Sequence, residues 1–152
     1  MWGRIKIRKS DTLFRQYLLK LRGCKSAMTG VFYPEGKGLF VSHFHGRRKE
    51  SVRFDEENCD LFSFSEHQYF EENPSQFTEW KKKQLGEKRF KLLTLAANTY
   101  KKKDEKLQII ILQELLKTIA SGEGVNRKSA APPNKGRLEN ITKYQDEERN
   151  YK

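Results

Sequence analysis

The segment from Gly30 to Phe44 constrains the fold most, because it interrupts a chain whose other apolar residues recur mostly at helical spacing. Two short apolar runs flank the sequence PEGKG, which is rich in the residues that turns require. This pattern predicts a strand, a turn and a second strand, which together form a β-hairpin that ends in the sequence SHFH.

Amphipathic helices are predicted on both sides of the hairpin. The first begins at Ser10, a candidate N-cap, and stops at Gly23. Later apolar spacing, caps and glycines predict a short helix over 66–70 and longer helices over 74–85, around 90–97 and from about 104 to 121. We therefore expect an α+β domain over residues 1–120, followed by a flexible, polar and basic tail over 121–152.

Charge is distributed unevenly along the chain, whose formal net charge is +11. Residues 1–50 hold twelve Lys/Arg against three Asp/Glu, residues 51–80 hold one against eight, and residues 81–120 hold eleven against four. Basic flanks around an acidic middle suit a protein that binds phosphates at its flanks and keeps carboxylates in between. The alternative is a solvated surface of uneven charge.

Several classes of protein are disfavoured. No apolar run is long enough to cross a bilayer, and the N-terminal residues lack the apolar stretch of a signal peptide, so we expect a soluble cytoplasmic protein without a membrane partner. Cys24 and Cys59 are too few for a disulfide framework or a four-thiolate zinc site.

The three histidines carry most of the functional argument. His43 ends a predicted strand, Asn58 follows fifteen residues later in a loop, and His67 follows nine residues after that at a helix start. Phosphodiester hydrolysis needs a base for water, a group that fixes this base, and a cation at the leaving oxygen. These three residues have the side chains to supply all of them. His45 is left open as an extra ligand, a phosphate contact or an unrelated loop residue.

The chain resembles the HNH (ββα-metal) endonucleases, and more specifically the phage recombination endonucleases of the Rap (NinG) type. The resemblance runs from about residue 13 to residue 116 and rests on the sequences SHFHGRR and SVRFD, on Asn58, and on HQYF, NP, Trp80 and QLG. It implies a ββα-metal core with an N-terminal helix before it and helices after it.

The resemblance also implies roles. His43 would activate water, Asn58 would hold the His43 imidazole by a hydrogen bond, and His67 would bind Mg²⁺ or Mn²⁺. Glu71, one helical turn after His67, falls where some HNH proteins have another metal ligand. The expected activity is endonucleolytic cleavage of phage recombination or replication DNA in the host cytoplasm, with branched DNA as the favoured substrate.

Two further expectations concern the DNA and the metal. Arg47 and Arg48 would bind the DNA backbone, because a guanidinium group suits phosphate. Many relatives hold a structural zinc on two Cys-x-x-Cys pairs, but the equivalent positions here are Ser26, Thr29, Ser63 and Glu66, so no structural zinc is expected.

The sequence leaves one rival function. Many HNH enzymes have Asp or His as a metal ligand at the position that Ser42 occupies here. Together with the missing cysteines, this favours a catalytically inactive, HNH-derived DNA-binding protein as the alternative.

Overall fold

The structure is a computed structural model, and it describes residues 5–122. Its elements, in chain order, are α1 (Lys9–Arg22), β1 (Leu39–His43), β2 (Cys59–Ser63), α2 (Phe64–Glu72), α3 (Pro74–Leu85), α4 (Glu87–Ala97) and α5 (Glu105–Ala120), with short 3₁₀ turns at Pro34–Gly36 and Glu50–Val52. The predicted α+β class is therefore confirmed, with one helix before the strands and four after them. The predicted tail lies outside the described residues, apart from 121 and 122.

The strands pair differently from the prediction. β1 runs antiparallel to β2, with Leu39 opposite Ser63 and His43 opposite Cys59. The predicted hairpin within 30–44 is wrong: Phe32 makes only an isolated bridge to Lys25. The sequence of β2 concealed the partner strand, because all five of its residues are buried and they do not alternate between apolar and polar.

The sheet lies between two helical layers. One face of the sheet packs against α1 and α5 in a cluster of buried residues: Phe14, Tyr17, Leu18, Leu39, Cys59, Leu61 and Leu112. Phe62 is fully buried on the opposite face among rings of α2 and α3, those of Phe70, Phe77 and Trp80. Phe62 therefore stabilises the core, whereas its neighbour Phe64 is 66% exposed.

Helix starts follow the sequence signals in part. Asn73 and Pro74 begin α3, and the Asp104 side chain caps α5 by accepting from the amide of Leu107 at 3.0 Å. Ser10, the predicted cap of α1, instead lies inside the helix. Its hydroxyl donates to the Glu105 carboxylate at 2.6 Å and joins α1 to the start of α5.

The loop between β1 and β2 is anchored against α4. Val52 is fully buried with apolar residues of α3 and α4, and the Ser51 hydroxyl donates to the backbone carbonyl of Ala96 at 2.6 Å. Arg47 and Arg48 belong to the same loop, so these contacts also restrain the backbone of the two arginines. Within residues 5–122, every helix is too short or too polar to cross a bilayer.

Candidate active site

His67 and Glu71 form a pair on the outer face of α2. They lie one turn apart, and His67 Nε2 is 3.1 Å from Glu71 Oε1. The other ring nitrogen, Nδ1, is 3.3 Å from the hydroxyl of Ser42 on β1. A hydroxyl both donates and accepts, so Ser42 can hold this ring in either tautomer. The pair is open to solvent, since about a third of the His67 side chain and two thirds of that of Glu71 are exposed.

His43 is the last residue of β1 and shares a strand face with Leu39 and Val41. Its Nε2 lies 2.9 Å from the backbone carbonyl of Arg53. A carbonyl only accepts hydrogen bonds, so Nε2 carries the proton and Nδ1 is left with a free lone pair. Burial, and then the charge of Arg47, lowers the pKa of His43 to about 4. The ring is therefore neutral at pH 7.

A cleft of about 210 Å³ opens beside His43, between β1 and the first turns of α1. The cleft is lined by the apolar side chains of Ile7, Phe14, Phe40 and Val41 and by the polar or charged side chains of Asp11, Thr12, Arg15 and Arg47. Arg47 lies close enough to His43 to influence its titration. Arg48, next along the loop, is exposed.

Asn58 is fully buried directly before β2, and its side chain bonds to the backbone. Its oxygen accepts from the amide of His45 at 2.8 Å, and its nitrogen donates to the carbonyls of His45 at 2.9 Å and Val52 at 3.0 Å. Both amide hydrogens are therefore used. The His43 imidazole is held by the carbonyl of Arg53, whereas Asn58 was expected to hold it.

His45 follows the strand with its backbone held by Asn58. Its ring packs edge-on against Phe44, and its Nε2 is buried without a hydrogen-bond partner among residues 5–122. The structure thus directs Nε2 inward, while the residue as a whole is partly exposed.

The four positions that the resemblance assigns to zinc cysteines contact one another. The Ser26 hydroxyl donates to both carboxylate oxygens of Glu66, at 2.9 and 2.7 Å, and accepts from the amide of Thr29. Ser63 caps α2, and its amide donates to Glu66 at 2.7 Å. Burial opposes ionisation of Glu66, but hydrogen bonds from Ser26, Ser63 and Thr29 lower its pKa.

Four charged residues near the site, which form two buried ion pairs, were missed. Arg53 is 2% exposed and forms an ion pair with Asp11, and Lys81 Nζ lies 2.5 Å from Asp60 in a pair that is almost fully buried. A signal existed for Lys81, because it lies midway between Phe77 and Leu85 at helical spacing, on the apolar face of α3.

The structure therefore brings some predicted residues together and separates others. His67, Glu71 and Ser42 meet on the α2 side of β1, whereas His43, with Arg47, lies on its α1 side. Within residues 5–122, no three side chains of His, Cys, Asp or Glu cluster as a ligand set. No protein-family model, curated protein or solved structure was found that matches this chain.

Proposed function

We propose that this protein is a metal-dependent DNA endonuclease with a ββα-metal centre of the HNH type. One observation carries the proposal: an imidazole–carboxylate pair on α2 contacts Ser42, and the next residue, His43, is a neutral imidazole with an available lone pair. The order of a strand ending in a histidine, a second strand and a helix with a histidine is also the order that the resemblance implies.

The His67–Glu71 pair fits a divalent cation in both chemistry and spacing. Two ligands at adjacent octahedral positions, each about 2.1 Å from Mg²⁺, are about 3 Å apart. The observed separation of 3.1 Å between Nε2 and Oε1 matches this value. If Nε2 held a cation, Nδ1 would carry the proton and Ser42 would accept a hydrogen bond from it, which would fix the ring. Mg²⁺ or Mn²⁺ would stabilise charge on the leaving oxygen of the phosphodiester.

His43 would accept a proton from the attacking water through Nδ1. Because Ser42 and His43 point to opposite faces of β1, the phosphate would lie across the end of the strand, the position from which it could reach both the His67–Glu71 pair and His43. A phosphate at this point brings negative charge towards the ring and raises the pKa of His43. Proton acceptance is thus favoured when substrate is bound.

Arg47 and Arg48 would hold the DNA backbone beside this centre. Arg47 lines the cleft that contains His43, and Arg48 follows on the surface. The net charge of +11 supports a polyanionic substrate. Nothing in these side chains selects a base sequence, and a branched DNA substrate rests on the resemblance alone.

The cluster of Ser26, Thr29, Ser63 and Glu66 supports the same proposal. Its hydrogen bonds join the loop before β1 to the start of α2, the helix that carries His67. A network of this kind holds together segments that a bound zinc would otherwise join. The missing cysteines therefore argue less strongly for a decayed module.

The second candidate is a DNA-binding protein without cleavage activity. It is favoured by the ligand set, since within the described part of the chain His67 and Glu71 stand without a third His, Cys, Asp or Glu. Two protein ligands are nevertheless compatible with Mg²⁺, which usually keeps several waters and binds substrate phosphate.

Plasmid nicking separates the two candidates. We expect purified protein to convert supercoiled DNA to the nicked or linear form with Mn²⁺ or Mg²⁺, and to lose this activity with EDTA. A gel-shift assay with EDTA measures DNA binding independently. Binding without cleavage on linear, nicked and branched DNA, in either metal, would favour the inactive module.

A further inference from the structure

Arg53 connects the His43 imidazole to the N-terminal helix. Its carbonyl accepts from His43 Nε2, and its guanidinium donates to both carboxylate oxygens of Asp11, at 2.9 and 2.6 Å. A third bond runs from its Nη1 to the carbonyl of Arg47 at 3.0 Å. One buried residue thus contacts the proposed base, α1 and the loop that carries the phosphate-binding arginines.

The Asp11 carboxylate is fixed as firmly as its partner. It is 8% exposed, and it also accepts from the backbone amide of Arg8 at 2.8 Å in the first turn of α1. Burial opposes its ionisation, but the hydrogen bonds from Arg53 and Arg8 outweigh this effect and lower its pKa. A forked guanidinium–carboxylate contact restricts both groups more than a single hydrogen bond does.

We infer that Asp11 and Arg53 are positioning residues for His43: their ion pair fixes the Arg53 carbonyl, which holds the imidazole with Nδ1 directed at the attacking water. This inference rests on the proposed function, because it takes His43 as the base. Misplacement of a catalytic group by about 1 Å can reduce a rate by about 100-fold. A tie between α1 and the base therefore matters for turnover as well as for stability.

The neighbouring ion pair between Arg8 and Glu50 supplies a matched control. It also joins the start of α1 to the loop between β1 and β2, at 2.8 Å, and its side chains are somewhat more exposed, at 17% and 15%, than those of Arg53 and Asp11. Its guanidinium comes from the residue before α1, and its carboxylate is at the first position of the 3₁₀ turn. Glu50→Gln weakens the attachment of α1 to the loop but leaves the ion pair between Arg53 and Asp11 intact.

The test compares Asp11→Asn, Arg53→Lys and Glu50→Gln by ¹⁵N-resolved NMR of the imidazoles and by cleavage kinetics. A hydrogen-bonded Nε2–H shielded from exchange gives a resolved His43 resonance. We expect wild type and Glu50→Gln to show it, and Asp11→Asn and Arg53→Lys to lose it while circular dichroism stays unchanged. In the same two variants kcat should fall by about 10- to 100-fold with KM for DNA unchanged.

The inference is overturned if folded Asp11→Asn and Arg53→Lys keep the resonance, or if Glu50→Gln loses as much kcat as they do. The NMR comparison is independent of cleavage. Wild-type protein that cleaves no DNA would refute the proposed function, and the resonance would then decide by itself whether the ion pair positions the ring.

Discussion

Replacing Asn58 by alanine tests where this side chain acts. Asn58 makes three hydrogen bonds to the backbone of His45 and Val52, and all of its polar atoms are buried. A neutral hydrogen bond contributes about 1 kcal/mol, and each buried group left without a partner costs about 1–3 kcal/mol. We therefore expect Asn58→Ala to lower the free energy of unfolding by about 3–5 kcal/mol.

The assay is urea denaturation, followed by far-UV circular dichroism and tryptophan fluorescence. Asn73→Ala is the matched control, because the Asn73 side chain donates one bond to the carbonyl of Tyr69 near the surface. This variant should lose less than about 1 kcal/mol. The loop that carries Arg47 should also exchange its amide hydrogens faster in Asn58→Ala than in the control.

The result also separates two roles. If Asn58 held the imidazole directly, Asn58→Ala would be stable to within about 1 kcal/mol of wild type and would still lose cleavage. That outcome would refute the assignment of Asn58 to the loop backbone. Equal losses of unfolding free energy in Asn58→Ala and Asn73→Ala would refute the larger loss expected for Asn58→Ala.

Three further changes have defined outcomes. Lys81→Met removes the ion pair, 2.5 Å long, with the buried Asp60 carboxylate and should lower the free energy of unfolding by about 3–5 kcal/mol, whereas Lys81→Met/Asp60→Leu should recover most of it in the same urea assay. Burial and then Arg47 lower the pKa of His43 from 6.5 to about 4, so the unfolded chain binds the proton more tightly. The contribution of this pKa difference to the free energy of unfolding is complete above pH 6.5 and falls by up to about 3 kcal/mol as the pH drops towards 4. His43→Gln should remove this pH-dependent loss. Arg47→Ala/Arg48→Ala should flatten the slope of log K against log salt for DNA binding by about 1 to 2 units, and an unchanged slope would reject their contact with phosphate.

The sequence predicts the helices well and the sheet poorly. Helical periodicity and caps such as Asn73 and Asp104 are local signals, and the helices begin close to where they indicate. Strand pairing depends on contacts between distant residues. The partner of β1 is buried on both faces and contains Asp60, so it shows no alternation, and the apolar run at 31–33 matches the strand pattern better although it forms only a single bridge.

The site divides in the same way. The resemblance singled out Glu71, one helical turn after His67, and the structure puts the two side chains in contact. The positions of Arg53 and Asp11 could not be predicted, because their partnership joins residues 42 apart and the sequence shows only two ordinary charged residues. The convergence of Ser26 with Glu66 followed from the resemblance and not from any residue pattern.

The most direct test of the central claim is the single-turnover cleavage rate at saturating protein, for wild type, His43→Ala and His67→Ala in Mn²⁺. We expect metal-dependent cleavage by wild type, a rate reduced by at least about 100-fold in His43→Ala at every Mn²⁺ concentration, and a loss in His67→Ala that high Mn²⁺ partly restores. Lys88→Ala, an exposed basic residue of α4, should cleave like wild type. Cleavage by His43→Ala at the wild-type rate would contradict the proposal that His43 is the general base.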